Sequence, residues 1–276
     1  MRQLARSASV VSVWLVAFLI AGCTSQVETR DVDDEPQRGT ITEVESESVI
    51  IRPIDRYLPD ADTIIQLIQA NENSINRCLK DRGFTEDFVY PEQSQLRDFV
   101  ISGVADRVVR SSLWGFFGTM TAAQIGYQRE TDAESITVPA ISVGGTAACV
   151  ETSESAPDPL TFIFVWSLPN GGPTVPVEDS RYAVAVLDWK KCMAGQGFHY
   201  GTPFDAIAEF VEERSASSRQ IAAATADIEC KISTNLVGVG LAVQSAYDER
   251  YIAANLPALT ALADQIDSAV RDGAGK

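Results

Sequence analysis

The chain has 276 residues, enough for one large domain or two small ones with a sizeable core. It carries 38 acidic against 22 basic residues, a net charge of −16, and no basic run interleaved with aromatics; such a surface repels nucleic acid and anionic headgroups. With one histidine and no calcium-loop spacing, no metal site is read in it, and no cofactor either.

Arg2 and Arg6 precede an apolar run over residues 10–20, which gives way to Ala21, Gly22 and Cys23. A charged start, a short apolar stretch and small residues at its end make a secretory signal over residues 1–22. A membrane-spanning helix needs about 20 apolar residues, and this run is shorter. Ile20-Ala21-Gly22-Cys23 resembles the lipobox of bacterial lipoproteins. That resemblance implies a diacylglyceryl group on the Cys23 thiol and cleavage just before it. Each buried methylene contributes about 0.8 kcal/mol, so two or three acyl chains hold a protein on a bilayer where one does not. The expected localisation is the extracytoplasmic face of the cell membrane. Loss of Arg2 and Arg6 leaves 20 basic residues against 38 acidic ones, a net charge of −18.

Residues 23–48 read as a lipidated N-terminus followed by an acidic, disordered tether. From Thr24 to Glu47 there are eight acidic residues, opposed only by Arg30 and Arg38, and no apolar period. The body is expected over residues 49–276, mainly α, with halves at about 60–168 and 174–272 and minor short β segments.

Asp60 and Asp62 can cap a first helix running to about Arg82, with Ile64, Leu67, Ile68, Ile75, Cys78 and Leu79 inward. A second helix is expected from Gln93 to about Phe116. Its end, Leu113-Trp114-Gly115-Phe116-Phe117-Gly118, reads as aromatics under a helix–loop junction or as a ligand-stacking patch. Residues 136–150 and 160–168 are β-branched and aromatic. Phe162 to Trp166 reads as a short buried strand or a turn of helix, and Pro169 to Pro173 is a break between halves.

Ile75-Asn76-Arg77-Cys78-Leu79 with Gly83-Phe84 is similar to Trp189-Lys190-Lys191-Cys192-Met193 with Gly197-Phe198. Either the halves are a pseudo-repeat or two unrelated helices end alike. In both, the glycine leaves the helix in a left-handed conformation and the phenylalanine packs back. Ser217 or Ser218 starts a later helix, and helical stripes continue through Leu236–Ala254 and Leu259–Val270, with Pro257 starting or kinking one. The small residues around Gly238 and Gly240 read as a close helix contact.

In an exported protein Cys78, Cys149, Cys192 and Cys230 imply two disulfides, with three connectivities open. The simplest closes each half: Cys78 with Cys149, Cys192 with Cys230. Loop entropy gives each about 4 kcal/mol. A thiol nucleophile at Cys192 with His199 would strand an odd thiol in an oxidising compartment. Trp189-x-x-Cys192-Met193, Gly197-Phe198, Ala226-Asp227-x-x-Cys230-Lys231 and Tyr247 resemble a group of uncharacterised exported or lipid-anchored actinobacterial proteins. That resemblance spans roughly the last 90 residues, implies pairing within each half, and carries no known activity.

The functional expectation is a non-enzymatic envelope protein that binds a partner protein or ligand outside the membrane, with no catalytic residue assigned. The alternatives are a cell-wall hydrolase, for which Glu178, Asp179, Glu209, Glu212 and Glu213 can be nominated, and a transporter-associated solute-binding lipoprotein.

Overall fold

The computed structural model describes residues 34–85, 87–90, 93–128, 149 and 158–274, and there the chain is mainly helical. Helix α1 spans Ala61–Asp81, and the Asp60 carboxylate caps it by accepting from the Thr63 amide at 2.8 Å. Ile64, Leu67, Ile68, Ile75 and Leu79 face inward at helical intervals.

The helix ends in a reciprocal pair of backbone bonds, Phe84 N to Leu79 O and Gly83 N to Lys80 O, both 3.0 Å, with Gly83 at φ +82°. Helix α4, Ser180–Gly195, stops the same way: Phe198 N reaches Met193 O at 2.9 Å, Gly197 N reaches Ala194 O at 3.1 Å, and Gly197 has φ +86°. The two segments thus share one kind of helix stop. The phenylalanines diverge: Phe198 packs against the core, whereas Phe84 stands exposed.

Helix α2, Gln93–Val109, is shorter than the sequence reading. It gives way to a two-stranded antiparallel hairpin, β1 (Arg110–Ser111) and β2 (Gly115–Phe116), with Arg110 opposite Phe116. Gly115 sits at φ +72°, which closes the turn. The hairpin drives Leu113, Trp114, Phe116 and Phe117 into the interior, so the aromatic run is core and not an open stacking patch. A one-turn helix follows, α3 (Ala122–Ile125). Phe162 to Trp166, expected as a short buried strand or a buried turn of helix, fall in the first two of three successive 3-10 turns over residues 159–171, and Phe164 and Trp166 are exposed. Of residues 136–150, read as β-branched and aromatic, all but Cys149 lie outside the described residues.

Beyond α4 come α5 (Pro203–Ala208), α6 (Ser218–Ser233, capped by Ser217) and α7 (Leu236–Ala274). Helix α7 runs through Pro257 without ending. No helix of the described residues is long and apolar enough to cross a membrane.

Disulfides join Cys78 to Cys149 (S–S 2.06 Å) and Cys192 to Cys230 (1.98 Å). Each closes inside one of the halves, yet the halves interlock. Ile64, Leu67 and Ile68 of α1 and Leu96 and Val100 of α2 share a core with Ile266 of α7, and Glu35–Lys276 cluster as one compact unit.

The tether reading is corrected from Glu35 onward. The Glu35 carboxylate accepts from Ser180 N at 2.7 Å and Ser180 Oγ at 2.9 Å. Val44 is buried, its amide donates to Asn235 Oδ1 at 3.2 Å, and Asn235 Nδ2 donates to Thr42 O at 3.0 Å. A Cβ on Gly238 would lie 2.1 Å from that Thr42 carbonyl, so the missing side chain lets the segment cross the start of α7. Acidic composition hid this because the docking relies on one of the acids themselves, Glu35, on backbone groups and on one valine, none of which makes an apolar period. Residues 1–33, Cys23 among them, lie outside the described residues.

Candidate functional site

A cleft of about 400 Å³ lies between α2 and the loop that follows β2, not between the cysteine-bearing helices α1 and α4. Phe99, Val109, Phe116 and Ile125 give it apolar walls, and Asp106 and Arg110 give it charge. The sequence places Asp106 and Arg110 one helical turn apart, so their side chains meet: Arg110 Nε lies 3.4 Å from Asp106 Oδ1. Arg110 also donates from Nη2 to Tyr127 O at 2.9 Å and Gln128 O at 2.8 Å, and its guanidinium lies 5.0 Å from the Phe116 ring centroid. Across the cleft, the Glu47 carboxylate accepts from Thr119 N at 3.1 Å and from the Thr119 hydroxyl. An apolar wall with a few fixed polar groups suits a small molecule with an apolar body.

Behind this wall lies a buried ionic network. Lys231 Nζ donates to Asp227 Oδ2 and to the Phe116 carbonyl, both at 2.6 Å. The other carboxylate oxygen accepts from Trp189 Nε1 at 2.9 Å, and Tyr127 OH donates to Oδ2 at 3.3 Å. Asp227 and Lys231 are both 0% exposed. Burial pushes the Asp227 carboxyl up and the Lys231 amine down, and the opposite charge one turn away resists both shifts. Burial likewise pushes the phenol of Tyr127 up, so it remains a hydrogen-bond donor. The network joins α6, α4 and β2, and through Phe116 and Tyr127 it fixes the cleft wall. No solvent-exposed face lets a substrate reach it. Its role is structural.

The chain matches no protein-family model, no curated protein and no solved structure.

The nominated carboxylates are not gathered there. Asp179 is buried as the cap of α4, bonded to Arg181 N at 3.0 Å and Arg181 Nε at 2.8 Å. Glu209 accepts from Tyr200 OH at 2.6 Å and Arg219 Nε at 2.8 Å. Glu213 accepts from Gln220 Nε2 at 3.3 Å, and Glu178 and Glu212 are exposed. Among the described residues no His, Cys, Asp and Glu side chains gather into a metal-holding group. Cys192 is taken by its disulfide and His199 stands exposed.

The sequence reading singled out neither Asp106 nor Arg110, took Glu47 as an acid of the tether, and noticed Asp227 and Lys231 only as part of a resemblance. A signal for the second pair was present: two charges four residues apart, set among Ala223, Ala224, Ala226, Ile228 and Cys230 on one helix.

Proposed function

We propose that this chain is an extracytoplasmic lipoprotein, anchored in the cell membrane by acyl groups on Cys23, whose helical body is a binding module and not an enzyme. The observation that carries the reading is a cysteine inventory. Of five cysteines four are paired in two disulfides, a state suited to an oxidising compartment, and the fifth closes Ile20-Ala21-Gly22-Cys23. The binding part is supported by the cleft beside Arg110, whose charges are fixed by neighbours in an arrangement that orients a ligand without offering a nucleophile and base in contact.

The test is expression of the full chain in a bacterial host that processes lipoproteins, followed by detergent phase separation and mass analysis of the N-terminal peptide. Wild type should enter the detergent phase, with an acylated peptide that begins at Cys23. Cys23→Ser should move to the aqueous phase. A peptide that begins elsewhere, or a Cys23→Ser chain that stays with detergent, overturns the anchor.

A further inference from the structure

Three charged side chains line the cleft beside Arg110: Glu47, Asp106 and Arg110 itself. Arg110 is already engaged by the protein. Both Nη2 hydrogens go to backbone carbonyls, those of Tyr127 and Gln128, while Nε faces the Asp106 carboxylate and the guanidinium lies over the Phe116 ring. Its side chain is only 19% exposed. An anionic ligand would have to draw Arg110 away from these partners, and hydrogen bonds of a charged group are worth about 1.5–3 kcal/mol each. The Asp106–Arg110 pair is neutral as a unit, which leaves Glu47 as the charge of the cleft that no cation answers.

Glu47 is held in place with one oxygen to spare. Oε2 accepts both the amide and the hydroxyl of Thr119, and among the described residues Oε1 has no donor. The backbone that carries it is fixed as well. Glu47 opens a 3-10 turn, Glu47–Val49, set between buried Val44, whose amide donates to Asn235 Oδ1, and buried Ile50. Gln128, which also lines the cleft, has acceptor capacity left over. Its Nε2 donates to Glu213 O at 3.0 Å and to Gln220 Oε1 at 3.4 Å, so both amide hydrogens are committed and Oε1 is what the side chain can still offer.

These groups match a ligand that brings positive charge and N–H donors. A bare divalent metal ion is the wrong cation, because it needs about six oxygen ligands and Phe99, Val109, Met120 and Ile125 supply none. Those four side chains suit an apolar body instead. Met120 is 77% exposed and ends in a flexible thioether, which adapts to apolar bodies of different shape. The net charge of −16 on the chain draws cations toward it from a distance.

We propose that the cleft binds a small amphiphilic cation, an amine or guanidinium on an apolar body, with the Glu47 carboxylate as its counter-charge. This deepens the binding-module reading by naming the ligand class of the same cleft, and it rests on that reading without depending on Cys23 acylation. Because Thr119 holds the carboxylate before ligand arrives, little ordering cost is left to binding.

The test is NMR of the full chain in neutral detergent, with methionine labelled at its methyl carbon and free probe concentrations fixed by dialysis. Met120 lines the cleft and Met193 is buried, so Met193 is the internal reference, and the signal lost in Met120→Leu is that of Met120. Phenethylamine, phenethyl alcohol and hydrocinnamate share a ring and a short arm but differ in charge. Phenethylamine should shift the Met120 methyl saturably and leave Met193 still, the alcohol should bind several-fold more weakly, and the carboxylate weakest. Glu47→Gln keeps the shape and can still accept from Thr119; it should weaken phenethylamine about tenfold and leave the alcohol unchanged. Gln124→Lys, at the exposed rim, should weaken the amine several-fold. Asp264→Asn, an exposed acid on α7, removes the same unit of charge elsewhere and should change nothing. Circular dichroism checks the fold of each variant, and Gln124→Lys carries the test should Glu47→Gln unfold. If none of the three ring probes shifts Met120, the binding reading of the cleft fails and the ligand class with it. If the alcohol or the carboxylate binds as tightly as the amine, or if folded Glu47→Gln and Gln124→Lys bind the amine as wild type does, the ligand class alone is overturned. Cys23→Ser phase separation is scored separately, so failure here leaves the anchor untouched.

Discussion

Trp189 donates its indole hydrogen to Asp227 across 2.9 Å, joining α4 to α6 at the point where Asp227 also holds Lys231. The Cys192–Cys230 disulfide joins the same two helices three residues further along each. A covalent and a polar cross-link thus fasten one helix pair, and the wall of the Arg110 cleft hangs from it through Phe116 and Tyr127.

Removing one partner of the buried pair leaves an uncompensated charge or an unsatisfied acceptor in the core. Lys231→Met should therefore cost about 3–5 kcal/mol in urea unfolding with disulfides intact. The double variant Asp227→Leu/Lys231→Met should recover most of that loss, since two apolar side chains need no partner. A double variant as unstable as the sum of the singles would contradict this account.

Cys192→Ser/Cys230→Ser opens a loop of sequence separation 38, for which chain entropy gives about 4 kcal/mol. The loss should be about 2–4 kcal/mol, with the chain-entropy figure as its upper end, since the Trp189–Asp227 bond belongs to the folded state of both proteins and cancels. Urea midpoints of this variant and of wild type measure it.

Acid should loosen the molecule through carboxylates held in their charged form. Burial alone would raise Asp179, but hydrogen bonds from the Arg181 side chain and backbone outweigh it and hold the carboxyl below its usual 3.8. Asp60 is lowered by the Thr63 amide, and Glu209 by Arg219 and Tyr200. A folded value below the unfolded one stabilises above the unfolded value, and that contribution vanishes as pH falls through the folded value. Stability should decline below about pH 4, and Asp179→Asn should flatten part of the decline in melts taken from pH 5 to pH 2.

Gly238→Ala places a methyl group on the Thr42 carbonyl, 2.1 Å away in the present geometry. Backbone there cannot yield as a flexible side chain could, so residues 39–45 should lift from α7 at a cost of about 1–3 kcal/mol. Limited trypsin digestion should then cut after Arg38 several-fold faster than in wild type. Equal rates would mean that the segment is held by other contacts.

The first helix, its Asp60 cap, its inward stripe and the Gly-Phe stops were legible from residues a few positions apart, because helical hydrogen bonds and caps span three to five residues. The hairpin at 110–116 was not legible, since its aromatics have helical spacing and yielded to a deeper core. The docking of residues 35–48 was also missed: Thr42 and Val44 meet Asn235 across more than 190 residues, and no local composition encodes that meeting.

The linear order of residues was sufficient to specify a short apolar run that ends in Ile20-Ala21-Gly22-Cys23, an acidic balance, helical periods and an even set of cysteines for the body, since these are properties of composition and neighbours. Which charges would be buried together, which aromatics would be core and which would stand open depended on packing. Lys231 meets Phe116 O, and Trp166 faces solvent while Trp114 does not, because long-range contacts set the burial that makes a polar group costly or an apolar one available.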